Sequence, residues 1–387
     1  MQNNNTNPVN SRPSKHRTLL IVYVVTITIW VICAISFRIY NNHNLPIDSL
    51  KEQVIPYNPN ADPLNSVELG LYIKNITNFD PLNKNYGVNG WVWIKWPTSL
   101  KSIMDMQKKS PEILLNFVNK IDDWDFILRP INKEPLKAGE GMLYQKYRFS
   151  GHFFASNPDF RRYPFEKINL PVILELGGEN VTAKGEPVGL IIDQKNSGIN
   201  VHSEISGYRT KGFDIKGGSH EYITNMGNAL SNTHSTKIPF VKLEINHQKY
   251  LNGAFLKLIV PLVTIMTLTL FTASISSSGW DIRVGIPPTV ILSLIFLQQS
   301  YLEKLPELHY ITFLDSVYNI CYLINLVLFG LFLWGGNEYH AEATEAEKLV
   351  TIIRIDRINR NFQIGLTLLL IIGVAFNWTI IDKQLFY

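Results

Sequence analysis

Thr289, Ser293, Gln299, Ser300 and Glu303 place hydroxyl, amide and carboxylate groups at helical spacing inside an otherwise apolar segment, Asp281–Asp315. Wound at 100° per residue, these five share an arc of roughly 120° with Leu292 and Phe296. The other positions from 289 to 303 are Val290, Ile291, Leu294, Ile295, Leu297, Gln298, Tyr301 and Leu302, apolar apart from Gln298. Two kinds of chemistry fit such a stripe. It can face water and ions as the lining of a pore, with protein or lipid around the rest of the helix. It can instead be a polar seam in a helix bundle, because Ser, Thr and Gln commonly hydrogen-bond between membrane helices. The segment alone leaves both readings open.

No other constellation points to catalysis. The nine histidines have no metal-ligand spacing, and the chain contains no HExxH, nucleophile elbow or phosphate-binding glycine loop. Gly217-Gly218-Ser219-His220-Glu221 reads as a polar turn between strands. Basic residues are scattered or lie close to apolar segments, which argues against nucleic-acid binding. The expectation is a protein that is not an enzyme and holds no metal or cofactor. Cys33 and Cys321 each lie inside an apolar run, which argues against a disulfide scaffold.

The elements that must position the stripe are membrane helices. The chain has 387 residues and a mean hydropathy near zero, an average that joins a polar stretch up to about Tyr250 to a strongly apolar remainder. Aromatic content of 12% excludes a disordered chain. Five segments reach the roughly 20 apolar residues that a bilayer requires, near 18–37, 254–275, 284–302, 311–334 and 362–381. The first follows Arg12, Lys15 and Arg17 and ends near Ala34-Ile35-Ser36. Its apolar run exceeds the 7–15 residues usual for a signal peptide, so 18–38 reads as an uncleaved anchor after a disordered tail, 1–17.

Arg12, Lys15, Lys348, Arg354, Arg357 and Arg360 share one side if every segment crosses once, and the positive-inside rule makes that side cytoplasmic. Residues 39–250 then lie in the periplasm or outside the cell. The linker between Trp334 and Phe362 is short and mixed in charge, leaving no sizeable cytoplasmic domain.

From about Ile47 the pattern is that of a β domain. Val67, Leu69, Leu71 and Ile73 alternate with Glu68, Gly70, Tyr72 and Lys74, the period of a half-buried strand. Asn83–Trp96 reads as a turn and an aromatic strand, on which Trp91 and Trp93 share a face and Trp96 points to the other. Tyr144–Phe154, Val172–Leu176, Val188–Ile192 and the alternation at Val241, Leu243 and Ile245 supply further strands. Pro111–Ile121 has helical spacing with proline in its first turn, and predicts a helical insertion at 111–121. Repeated strands with Gly, Asn and Pro turns predict a sandwich.

Several local sequences then resemble the pentameric ligand-gated ion channels, the Cys-loop receptor superfamily in its bacterial form. Phe160–Leu170, FRRYPFEKINL, resembles the signature loop of aromatic-Pro-Phe-Asp, with Glu166 in place of Asp and without the bracketing cysteines. Lys249 stands twelve residues before Pro261, where the family carries a basic residue. Leu305-Pro306, Tyr310 and Asp315 resemble the turn between the second and third pore helices, and Val88–Trp96 the aromatic strand near the ligand site. The resemblance spans about Val67 to Ile381. It implies an extracytoplasmic antiparallel β-sandwich (39–250), a four-helix transmembrane bundle (251–387) and here one additional N-terminal transmembrane helix.

The family's arrangement turns Gly285, Thr289, Leu292, Phe296, Gln299 and Glu303 toward the pore axis, the same side as the helical wheel. Leu292 and Phe296 would then gate by dewetting, and carboxylate rings at Glu303 and Asp281 would favour cations, while Arg283 would oppose this if it faced the axis. The resemblance assigns gating coupling to Tyr163, Pro164, Phe165, Glu166, Lys249, Leu305, Pro306 and Tyr310, with an ion pair between Glu166 and Lys249. It places a ligand among Trp91, Trp93, Trp96 and Tyr208, capped by the loop Gly227–Thr236, although a strand tryptophan is more often core.

The expectation is a homopentameric, ligand- or proton-gated channel, favoured as cation-selective, in the lipid of a bacterial inner membrane. Its ligand is an unidentified small molecule or ion. A non-conducting receptor of the same architecture, signalling through a partner, is the alternative. Pro287 and Pro288 predict a second pore helix that begins near them or is distorted there, spanning only about 24 Å to Leu302 at 1.5 Å per residue.

Overall fold

The computed structural model describes residues 28, 50–54, 66–100, 110–139, 141–155, 158–177, 189–200, 205–224 and 236–384. The tail and anchor at 1–38 (Thr28 excepted) and the cap loop at 227–235 lie outside these residues. Among the described residues the chain divides into two compact units. A β unit holds 50–160 and 165–251, and a helical unit holds 252–384 together with Arg161–Pro164.

The β unit is built from β1 (Leu50–Val54), β2 (Ser66–Asp80), β3 (Asn85–Pro97), β4 (Leu115–Phe117), β5 (Ile127–Pro130), β6 (Leu136–Lys137), β7 (Met142–Phe154), β8 (Lys167–Leu176), β9 (Gly189–Ile192), β10 (Gly198–Ile199), β11 (Tyr208–Tyr222) and β12 (Thr236–Lys249). One sheet has the order β1-β11-β12-β8-β4. The other runs β10-β2-β3-β7-β5, with β6 on β7 and β9 on β2. Pairing is antiparallel except where β9 and β10 join β2.

Alternation decides which side chains enter the core. Val67, Leu69, Leu71 and Ile73 from β2, with Val92, Ile94 and Trp96 from β3, meet Leu170, Val172 and Leu174 from β8 and Val241, Leu243 and Ile245 from β12 in one buried cluster. Each large apolar side chain buried in this way contributes about 1.5–3 kcal/mol. Asn119 ties the two sheets. Its amide donates to Phe154 O (3.1 Å) and Pro171 O (2.7 Å), and its oxygen accepts from Ile173 N at 3.0 Å.

Two expectations in this unit are corrected. The helix expected over 111–121 is a single 3-10 turn, Pro111–Leu114, that passes directly into β4. Leu115 and Phe117 alternate with exposed Asn116, so strand periodicity wins once β8 offers a partner. Gly217–Glu221 is not a turn but the interior of β11, paired throughout with β12. A Cβ at 217 would lie 2.6 Å from the tip of the Ile192 side chain, which would have to shift to admit it.

The helical unit contains four helices long and apolar enough to cross a membrane. They are α1 (Leu251–Ser274), α2 (Trp280–Leu302), α3 (Phe313–Ala341) and α4 (Glu345–Gln384). In α1, Phe255–Ile259 widens into a π turn in which Val260 N bonds Phe255 O. The following Pro261 has no N–H to continue the regular ladder.

The expected start of α2 near Pro287 is corrected: the helix begins at Trp280 and runs unbroken through both prolines. At 1.5 Å per residue its 23 residues span about 34 Å, more than a hydrocarbon core. The expected 334–362 linker is also corrected. α3 continues to Ala341 and α4 starts at Glu345. Each start is fixed by a capping box: Thr312 with Asp315, and Thr344 with Glu347.

Candidate functional site

Gly285, Thr289, Leu292, Phe296 and Gln299 are exposed along one side of α2, and so is Glu303, its C-cap residue. The residues that α2 buries are Arg283, Pro287, Leu294 and Tyr301. Those four lie roughly 160–180° around the helix from the centre of the stripe. Leu292 and Phe296 remain 53% and 67% exposed, so the chain leaves large apolar side chains uncovered on its polar side. Asp281, also exposed, stands one turn before Gly285 on that side.

Two hydroxyls of the stripe bond within their own helix. Thr289 Oγ1 donates to Gly285 O and Ser293 Oγ to Thr289 O, both at 3.0 Å. The polar bonds between α2 and α3 come from outside the stripe, where Tyr322 donates to Gln298 Oε1 at 2.6 Å and Tyr301 donates to Asp315. A seam inside this bundle would show the reverse.

Arg283 does not join the stripe. Its side chain is buried, donating to Ser277 Oγ at 2.8 Å and Ala273 O at 3.0 Å, and also to Ile275 O. It pairs with Asp356 of α4 at 3.3 Å and covers the Phe332 ring at 5.5 Å. Ser277 donates to the same Asp356 oxygen from both its amide and its hydroxyl. A lone arginine in an apolar run demands a partner, which is the signal that could have disclosed this pair.

The residues expected to couple gating fall into two groups. In the helical unit Tyr163 stacks on Tyr301, with centroids 5.7 Å apart, and Tyr301 donates to Asp315. Arg161 covers the Tyr310 ring at 5.1 Å, and its carbonyl accepts from Phe313 N at 2.8 Å. Leu305 and Pro306 are buried in the same unit. The Tyr163–Pro164 peptide is cis.

The second group belongs to the β unit. Tyr208 opens β11 opposite Lys249, and Gln248 lies opposite Lys167 of β8, so the strand register gathers Tyr208, Lys249 and Glu166 at one end of the sheet. Lys249 Nζ is 3.1 Å from Glu166 Oε1, and the Tyr208 hydroxyl donates to the same oxygen at 2.7 Å. Lys249 also covers the Tyr208 ring at 4.5 Å. Phe165 is half-buried beside them in sequence, and Glu166 is fully buried. The pair forms as expected, but both ends lie in the β unit, so it fastens three strands of one sheet.

The aromatic residues separate by strand parity. Trp91 and Trp93 line a cavity of ≈ 510 Å³ with Tyr72, Lys95, Tyr144, Lys146, Asp193 and Asn196. Trp96 points the other way and is buried in the core, its indole N–H without a partner. Tyr208 is engaged with Glu166. These two are therefore removed from the expected ligand group.

Asp193 holds the cavity wall in place. It accepts from Trp93 Nε1 at 3.0 Å and from Asn196 Nδ2 at 2.9 Å on each oxygen. Burial would raise its pKa, but the bonds from Asn196 and Trp93 and the Lys95 ammonium outweigh that and hold it below the usual value. Gly70 faces Trp93, and a Cβ at position 70 would sit 2.3 Å from the indole. Lys146 covers the Trp91 ring at 5.0 Å and Lys74 at 6.0 Å.

Sequence reasoning missed a buried trio. His220 Nδ1 is 2.5 Å from Glu175 Oε1, to which the Tyr222 hydroxyl donates at 2.6 Å, while the imidazole stacks on Phe240 at 4.0 Å. Burial, and then Glu175, raise the Tyr222 phenol above its ordinary range. Reading 217–221 as a turn concealed this, although β-strand parity already puts His220 and Tyr222 on one face. No family model matches the chain, and no curated protein sequence matches it.

Proposed function

We propose that the chain is the subunit of a homopentameric membrane channel of the ligand-gated type. In this reading the β unit is an extracytoplasmic sandwich that senses a ligand or protons, and α2 of each copy lines the pore. The observation that carries it is the exposure of Gly285, Thr289, Leu292, Phe296, Gln299 and Glu303 opposite the buried side of α2. Five-fold symmetry turns each exposed position into a ring.

Leu292 and Phe296 then form the dewetting constriction, and Asp281 and Glu303 supply carboxylate rings at the two mouths. With Arg283 turned into the bundle, no cation of α2 offsets them, which supports cation preference. Tyr163 and Pro164, with Leu305, Pro306 and Tyr310, and Phe165 and Glu166, with Lys249, are assigned to gating coupling. The membrane is a bacterial inner membrane, entered by the N-terminal anchor from the cytoplasmic side.

The test uses the purified full-length chain. A native mass of five protomers and single-channel openings in a planar bilayer, with reversal potentials that shift on Glu303→Lys, are expected. A monomer or dimer overturns the assembly. A pentamer silent across pH and candidate ligands replaces the channel with a non-conducting receptor.

A further inference from the structure

We infer that the cavity on the outward side of β2, β3 and β7 binds a small aromatic carboxylate, its ring against Trp91 and Trp93 and its carboxylate at Lys146 and Arg148. The inference rests on the reading of the β unit as the sensing part, and it reverses the cationic amine to which an aromatic wall first points.

The charges around the cavity decide the class of ligand. Its buried acid, Asp193, is committed to Trp93 and Asn196. Glu68 is committed to Lys95 at 2.7 Å. The remaining charges are positive. Lys146 and Lys74 approach the Trp91 ring, and Arg148 stands directly opposite Trp91 in the β3–β7 register, on the same side of the sheet. Among the described residues none of these three has a carboxylate within ion-pair distance. An arriving ammonium would be repelled by the two ammonium groups beside the Trp91 ring. An arriving carboxylate would meet three cations without a counter-charge.

Shape agrees with this. The volume of ≈ 510 Å³ lies within the range of small-molecule sites, and every lining residue belongs to the one β unit. Gly70 lets the Trp93 indole lie flat, and Asp193 pins its nitrogen, so the wall is formed before any ligand arrives.

Benzoate, benzylamine and sodium sulfate are titrated against the full-length protein in detergent, read by tryptophan fluorescence and calorimetry. Saturable benzoate binding is expected, weakened about tenfold or more by Lys146→Gln and by Arg148→Gln, as loss of a charge-assisted hydrogen bond implies. Both positions lie on the outward face, and an unchanged melting curve shows that each variant is folded. Benzylamine binding as tightly as benzoate overturns the proposal, as does sulfate displacing benzoate at equal concentration. Affinity unmoved in both variants, or no saturation, also overturns it. Channel activity is recorded separately, so benzoate binding without current refutes conduction alone, and current without benzoate binding refutes this site alone.

Discussion

Replacing Lys249 with methionine removes the cation from a carboxylate that water does not reach. The Glu166 side chain is 0% exposed, one oxygen receives both Lys249 and Tyr208, and the other has no partner. Breaking a buried pair from one side costs about 3–5 kcal/mol, because the remaining charge is stranded. Lys249 keeps 27% exposure, so the lower end of that range, about 3 kcal/mol, applies.

In a unit of this size each kcal/mol moves the melting temperature by about 2–4 °C, so Lys249→Met should lower it by about 6–12 °C. Adding Glu166→Gln removes the stranded charge while leaving Tyr208 an oxygen to donate to. The double variant should therefore melt above Lys249→Met, with a coupling energy of about 1.5–3 kcal/mol. Melting of the full-length protein, followed by near-ultraviolet circular dichroism, reads all four members of the cycle. Strictly additive losses, or a Lys249→Met midpoint within about 2 °C of the parent, would refute the reasoning.

Gly70→Ala should cost about 1–3 kcal/mol by overpacking and should shift tryptophan emission to the red, because the new Cβ displaces Trp93 from Asp193; an unchanged spectrum argues against that contact. Asp193 titrates below its ordinary value of 3.8 in the folded chain, so its stabilisation is present above about pH 4 and is lost as pH falls through the lowered value. Acid melting curves of Asp193→Asn should lack that loss. Arg283→Met should destabilise the helical unit by about 3 kcal/mol through a stranded Asp356, yet leave the reversal potential where it was. A shifted reversal potential would place Arg283 on the ion path.

What was legible in the sequence was periodicity. The alternation from Val67 to Ile73 and the opposed faces of Trp93 and Trp96 follow from strand parity, and the stripe of α2 from helical spacing. Partners far along the chain were not legible. Nothing local joins Glu175 to His220 or Arg283 to Asp356; those pairs exist because strand register and helix packing bring them together. The start of α4 was misread for a different reason. The mixed charge between Trp334 and Phe362 has the composition of a linker, while the helix start lies in Thr344-Glu345-Ala346-Glu347, a capping box in plain sequence. Pro287 and Pro288 each remove a backbone bond, which locally favours a helix end, whereas packing of Trp280 and Arg283 keeps the earlier turns in place.

The hydroxyls of Thr289 and Ser293 have a consequence for whatever moves along that side of α2. Each has spent its single proton on a carbonyl one turn back in its own helix. What faces outward is therefore oxygen lone pairs and methyl or methylene hydrogens, a surface that accepts and does not give. A hydrated cation could exchange a water for such an oxygen. An anion would find no donor there, and would have to keep its hydration shell through the two turns between Gly285 and Ser293.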